Sequence, residues 1–189
     1  MKKTVLIFLV AGLTLVSANE LIGLTYDNKP RTIKEQYNYP IPPDSHKNLF
    51  YIQRSPNANL IQYEIKLDEK GKIDEKDPID VYWIRYNSHG GRRELKWYER
   101  KLAYGVKSDK IDDNTWKVNL VSYKKRTLYV IRNGDGSYQA NMEINGKISK
   151  FSSVFVDVKE NTFFPTIGSI EIFGEDLDTG DEVYERFVP

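Results

Sequence analysis

The chain has 189 residues, 28 basic against 27 acidic side chains, 13% aromatic residues and no cysteine. That length suits one domain whose core needs no covalent staples. The missing thiols exclude disulfides, thiol catalysis and thiolate metal sites, and near-neutrality argues against nucleic acid, which demands a basic excess or face.

The first eighteen residues read as a secretory signal peptide. Lys2 and Lys3 form a positive start, residues 4–16 are almost wholly apolar, and Val16-Ser17-Ala18 supplies the cleavage pattern, so the cut falls between Ala18 and Asn19. An apolar run of about thirteen residues is too short to span a bilayer, which takes ~20. No cysteine follows it to carry a lipid. The expectation is an exported protein, periplasmic or secreted, with no transmembrane segment in the mature chain. Taking Lys2 and Lys3 from the 28 basic residues, against 27 acidic ones, leaves a mature net charge of −1.

Residues 19–47 form a proline-rich arm holding Pro30, Pro40, Pro42 and Pro43, half of the eight prolines. Proline lacks the amide proton and pushes the residue before it out of the helical region, so the arm is extended or irregular. It is either a tether or a strap lying along the domain through Ile33, Tyr37, Tyr39 and Ile41. From residue 48 to 189 the chain reads as a single antiparallel β domain. Residues 60–67 alternate strictly, with Ile61, Tyr63, Ile65 and Leu67 on one face and Gln62, Glu64 and Lys66 on the other. Residues 138–144 repeat this with Tyr138, Ala140, Met142 and Ile144. Further strands are expected at 49–54, 79–86, 115–123, 127–132, 148–158, 167–173 and 183–188. Asn145-Gly146 between alternating runs is the signature of a type I′ hairpin. Residues 93–104 break the rhythm: Leu95, Tyr98 and Leu102 recur at helical spacing, and Gly105 stands where a left-handed C-cap belongs. The fold class is therefore all-β with one amphipathic helix, an antiparallel meander closing as a β-barrel or a two-sheet sandwich. Gly90-Gly91 makes the loop before the helix mobile or sharply bent.

The strings NLFYIQRSPNAN (48–59), PIDVYWIRY (78–86) and RKLAYGV (100–106), with VSYKK (121–125) and EVYERFVP (182–189), resemble a family of exported bacterial proteins known only as a domain of unknown function, the 4833 series. The resemblance spans about residues 47–189. It implies export and a single-domain fold, and it brings no activity or catalytic residue.

Arg54, Asn57 and Asn59 cluster at a strand end and its turn, where a guanidinium and two amides could hold a carboxylate, phosphate or sugar. Turn capping by the two asparagines is the plainer reading. On the strand at 79–86, Val81, Trp83 and Arg85 share one face and Asp80, Tyr82, Ile84 and Tyr86 the other. Trp83 beside Arg85 on an inward face suits an anionic or aromatic ligand; core packing with a snorkelling arginine is the alternative. His89 and Tyr104 lie near the expected opening.

Catalytic signals are thin. His46 and His89 are the only histidines, and no nucleophile elbow accompanies His89. Asp80, Glu94, Glu99 and Glu171 are available carboxylates without a distinctive spacing. The acidic loops 175–182 and 133–137 lack the register of a calcium loop, and no metal or other cofactor is indicated. Three basic groups, Arg92-Arg93, Arg100-Lys101 and Lys124-Lys125-Arg126, could meet as an anion patch or lie dispersed on the surface. The leading expectation is a non-catalytic β domain binding a small molecule, glycan or envelope protein through Arg54, Asn57, Asn59, Trp83, Arg85, His89 and Tyr104. The alternatives are an exported hydrolase of a polysaccharide or ester using Glu94, Glu99 or His89, and a structural envelope protein.

Overall fold

The computed structural model describes residues 37–159 and 166–188. The expected signal segment and the arm up to residue 36 lie outside the described residues. The described residues form eleven strands: β1 (Asn48–Arg54), β2 (Leu60–Ile65), β3 (Ile79–Arg85), β4 (Gly91–Glu94), β5 (Val106–Lys110), β6 (Thr115–Leu120), β7 (Tyr123–Arg132), β8 (Tyr138–Ile144), β9 (Lys147–Lys159), β10 (Thr166–Asp176) and β11 (Glu182–Phe187). They form one curled sheet in the order β4-β3-β2-β1-β9-β8-β7-β6-β5, with β10 on β9 and β11 on β10. The β8–β9 hairpin turns through Asn145 and Gly146 at φ of 50° and 80°, the double positive φ that the sequence demanded.

β9 is the branching strand. One edge carries β10 along its length, while the other is divided, residues 147–150 pairing with β8 and 153–156 with β1. Opposite Phe173 and Gly174 the register skips Ser152. That extra residue is a bulge, and it turns Phe151 into the main core and Phe155 onto the opposite face. β1 also runs parallel to β9, the one parallel pairing in the described sheet, which corrects the purely antiparallel meander. Parallel neighbours need a long crossover. Here the crossover is the whole of β2 to β8.

The two wings, β1–β4 and β5–β8, curl over a common core. Phe50, Ile61, Tyr63, Val81 and Trp83 from one wing pack with Trp116, Val118, Leu128, Val130 and Met142 from the other. Phe50 stacks on Tyr63 with ring centres 4.2 Å apart. The outer strands β4 and β5 each have one pairing partner. Both are short and charged, Gly-Arg-Arg-Glu and Val-Lys-Ser-Asp-Lys, a composition that discourages edge-to-edge pairing with other chains.

The opposite, convex face is not left to water. Tyr51, Phe155, Phe173 and Tyr184 lie under Tyr37 and Tyr39, and Leu60, Tyr82 and Ile84 pack with Tyr51 and Tyr86. Residues 37–47 are therefore a strap along the domain. Gln62, expected on a solvated face, is buried for this reason.

The expected helix over 93–104 is shorter and of another kind. Arg93 and Glu94 belong to β4, because Arg93 pairs across from Trp83. A single α-turn, α1 (Trp97–Glu99), then runs into a π-type turn over Arg100–Tyr104. Gly105 is not a left-handed cap: its φ and ψ are −66° and 166°. Glycine is required there for space, since a Cβ would stand 2.1 Å from the Arg100 carbonyl oxygen. His89 and Gly90, with φ of 65° and 70°, make the sharp bend into β4.

Candidate functional site

The site forms where β1 and β3 end together on the concave face. Ile52 lies opposite Ile61, Ile61 opposite Trp83, and Trp83 opposite Arg93, so these four share one cross-strand row. Two residues further along each strand, on the same face by strand alternation, come Arg54 and Arg85, with Asn59 between them at the entry to β2. The row therefore passes from apolar to cationic at the open end of the core.

Arg54 is half-buried, and its Nε is sealed from solvent without a hydrogen-bond partner. The other arginines nearby are matched: Arg92 pairs with Asp80 and Glu94, Arg93 with Glu99. Neither Arg54 nor Arg85 has an acidic partner among the described residues. Tyr104 packs edge-on against Trp83 with centres 5.3 Å apart. Its hydroxyl is pushed to a higher pKa by burial, and the nearby Arg54 charge works against that rise. The Tyr104 carbonyl accepts a hydrogen bond from the Tyr63 hydroxyl at 2.8 Å, which ties the π-turn to the core of β2.

Arg93 and Glu99 complete one side. The Arg93 guanidinium lies 5.5 Å from the Trp83 ring and donates to both Glu99 oxygens at 3.0 and 2.8 Å. The Lys96 backbone N–H donates to Glu99 as well, at 2.8 Å. Burial alone would raise the Glu99 carboxyl pKa, yet these donors outweigh it and hold the group below the ordinary carboxylate range. Glu99 thus braces Arg93 over the indole.

Of the seven residues expected from sequence, the structure gathers Arg54, Trp83, Arg85 and Tyr104. Asn59 stands in the same row, but its Oδ1 accepts from the Asn87 N–H at 3.3 Å and so joins two turns. Asn57 caps its own turn, its Oδ1 accepting from the Asn59 N–H at 3.1 Å. His89 is exposed at the bend before β4 and makes no side-chain hydrogen bond to a hydroxyl or acid among the described residues. The sequence pointed to Arg93 only as part of a basic group and to Glu99 only as an acid or base of the hydrolase alternative; their bracing of Trp83 went unread. The Glu99 carboxylate accepts from the Lys96 N–H, but lysine has no side-chain acceptor to complete a capping box, so no sequence signal marked the brace.

The other constellations resolve into local structure. Asp80 and Glu94 share Arg92, whose guanidinium sits 3.8 Å from the Tyr82 ring on the convex face, and Arg126 pairs with Glu185, so arginines of two of the three basic groups are matched by local acids, while Arg100 donates to the Val81 carbonyl. In the loop 175–182, Asp176 binds Lys147 and accepts from the N–H groups of Asp178 and Thr179. In the loop 133–137, Asp135 accepts from both the N–H and hydroxyl of Ser137. Among the described residues no group of three His, Asp or Glu side chains is placed to hold a metal ion. No described helix is long and apolar enough to cross a membrane.

The chain is thus a curled, branched β-sheet domain in which Arg54 and Arg85, without acidic partners among the described residues, stand beside a tryptophan–tyrosine corner. By its sequence the chain belongs to the DUF4833 family, a domain of unknown function, whose model matches residues 50–186. No curated protein and no solved structure matches the chain.

Proposed function

We propose that the chain is an exported, non-catalytic β domain that holds the anionic group of a small or extended ligand at the open end of its concave face. The observation that carries this is the unmatched pair Arg54 and Arg85 beside Trp83 and Tyr104. A half-buried guanidinium without an acid is costly to keep unless it meets one in use, and a carboxylate or phosphate supplies the geometry. Trp83 and Tyr104, both buried, form the apolar wall that the two arginines rim, and Arg93, held by Glu99, keeps Trp83 in place. The hydrolase alternative needs two facing carboxylates or a histidine joined to a hydroxyl and an acid, and nothing among the described residues favours it.

The test is a thermal-shift and calorimetric screen of the mature protein against carboxylates, phosphate esters, acidic sugars and their neutral counterparts. Anionic members should bind, and Arg54→Ala or Arg85→Ala should each weaken them about 10- to 100-fold, the worth of one charge-assisted hydrogen bond. Neutral members binding equally well, or both variants binding as the parent does, would refute the reading. Export itself is tested by the intact mass of the protein recovered from the cell envelope or medium, which should begin at Asn19.

A further inference from the structure

The strap over the convex face is held in an unusual way. Three side chains of the sheet region donate to its backbone carbonyls: Gln53 Nε2 to Pro40 O at 3.2 Å, Tyr86 Oη to Ile41 O at 2.6 Å and Asn48 Nδ2 to Pro43 O at 2.9 Å. Pro40 and Pro43 are three residues apart, one turn of a polyproline II helix, so both carbonyls can face the sheet. Upstream, Tyr37 and Tyr39 stack on each other at 5.3 Å and lie over Phe155, with ring centres 4.5 and 6.3 Å away. The Tyr37 hydroxyl donates to Asp157 at 3.1 Å. Ile41 keeps 55% of its surface exposed, so its carbonyl is read and its side chain is not.

This is the way extended proline-rich peptides are recognised in general: an aromatic floor, donors aimed at carbonyls, and a ligand whose prolines have already lost their conformational freedom. The floor takes the two tyrosines and the donors take the carbonyls of residues 40, 41 and 43, while Pro40 and Pro43, whose rings are exposed, serve by keeping the run extended. Nothing in these interactions requires the peptide to belong to the same chain.

We propose that the convex face is a recognition groove for proline-rich segments, occupied by the chain's own residues 37–44, and that a partner protein bearing a tyrosine-containing proline-rich segment displaces them. The tethered arm acts as a competitor at an effective concentration of about 1 mM, typical of short flexible tethers. A free peptide with an intrinsic dissociation constant of about 10 µM is therefore weakened roughly 100-fold by the arm. The groove lies on the face opposite the arginines, so it stands or falls independently of the anion site.

The experiment uses the full mature chain and a fluorescent peptide of sequence YNYPIPPD, read by anisotropy. Parent protein is compared with Tyr37→Ala/Tyr39→Ala, in which the arm is released, and with the milder Tyr37→Phe, which loses only the Asp157 bond. The doubly substituted chain should bind at least tenfold tighter than the parent, with Tyr37→Phe between them. Adding Tyr86→Phe to the released chain should weaken the peptide about fivefold, since it removes the donor to one carbonyl. A peptide with its three prolines replaced by alanine should bind more weakly than the original. Equal affinity for parent and released chains, or no binding by either folded variant, overturns the proposal. So does a released chain that dimerises without taking up peptide, because the groove would then serve a second copy.

Discussion

Replacing Gly105 by alanine tests the geometry that sets Tyr104 in the candidate site. Built on the present backbone, the new Cβ lies 2.1 Å from the Arg100 carbonyl oxygen, 2.9 Å from its carbon and 3.1 Å from Arg100 Cγ. Even close C–H···O contacts keep about 3.3 Å, so the turn must open by roughly an ångström. Opening breaks the bond from the Gly105 N–H to Arg100 O, now 3.0 Å, at a cost of about 0.5–1.5 kcal/mol. Forcing a methyl into a filled space adds about 1–3 kcal/mol. The expected loss is about 2–4 kcal/mol, read as a lower urea midpoint at unchanged slope and a melting temperature lower by roughly 5–15 °C. Gly134→Ala is the control, because no atom lies within 4 Å of its added Cβ and its φ is not in the left-handed region. Tryptophan fluorescence should change in Gly105→Ala as Tyr104 shifts against Trp83, and stay constant in Gly134→Ala. A Gly105→Ala protein within about 0.5 kcal/mol of the parent, the range of ordinary surface changes, would refute the close approach.

Other perturbations have equally definite outcomes. Tyr63→Phe removes the donor to the Tyr104 carbonyl inside the core and should cost about 1–2 kcal/mol in a chemical melt. Arg126→Met leaves Glu185, with 3% of its side chain exposed, without its cation, and should cost about 3 kcal/mol, the low end for a broken buried pair because Arg126 is itself partly exposed. For Glu185, burial raises the carboxyl pKa but Arg126 and the Asn145 N–H more than reverse it, so the folded value lies below the ordinary 4.5. Its stabilisation is present above that value and is lost as pH falls through the lowered one; melts across this range should show a drop that Glu185→Gln largely removes. The Tyr37 phenol has its pKa raised from 10.0 to about 12, by burial first and then by its bond to Asp157. Its contribution is complete below pH 10 and is lost as pH rises toward 12, so the strap should loosen over that window, read as the difference in tyrosinate absorbance between the parent and Tyr37→Phe.

Much of the sheet could be read from alternation alone. Residues 138–144 form a strand with the expected bounds and faces because nothing competes with period two there. The Asn145-Gly146 turn was equally legible, since few other dipeptides tolerate two positive φ values in succession. What could not be read is what depends on partners distant in sequence. Arg93 and Glu94, the second half of β4, were assigned to a helix because four residues rich in arginine carry no period of their own, and only their pairing with β3 makes them a strand. β5 went unassigned because its Val-Lys-Ser-Asp-Lys run is too polar to register. Gly105 was recognised as a necessary glycine for the wrong reason, steric contact with Arg100 rather than a positive φ. Among site residues, Trp83 and Arg85 were found through strand parity, whereas Arg54 joins them through the β1–β2–β3 register and Tyr104 through the π-turn tied to Tyr63, neither of which a local pattern signals. Asn57 and His89 were chemically suitable side chains whose places in turns give them local duties or none.

The branching at β9 also orders events in time. Ser55 and Asp157, joined by a hydrogen bond, are 102 residues apart, and Tyr37 is 120 residues from the same carboxylate. β1 is made before β2 to β8, yet one of its two flanking strands and the floor beneath the strap follow only after them. Contacts of such separation close slowly, because the chain loses its loop entropy before they repay it. The arginine end of β1 and the aromatic groove behind it can therefore be assembled only after residues 153–157 arrive, and a nascent or truncated chain that lacks them presents neither surface.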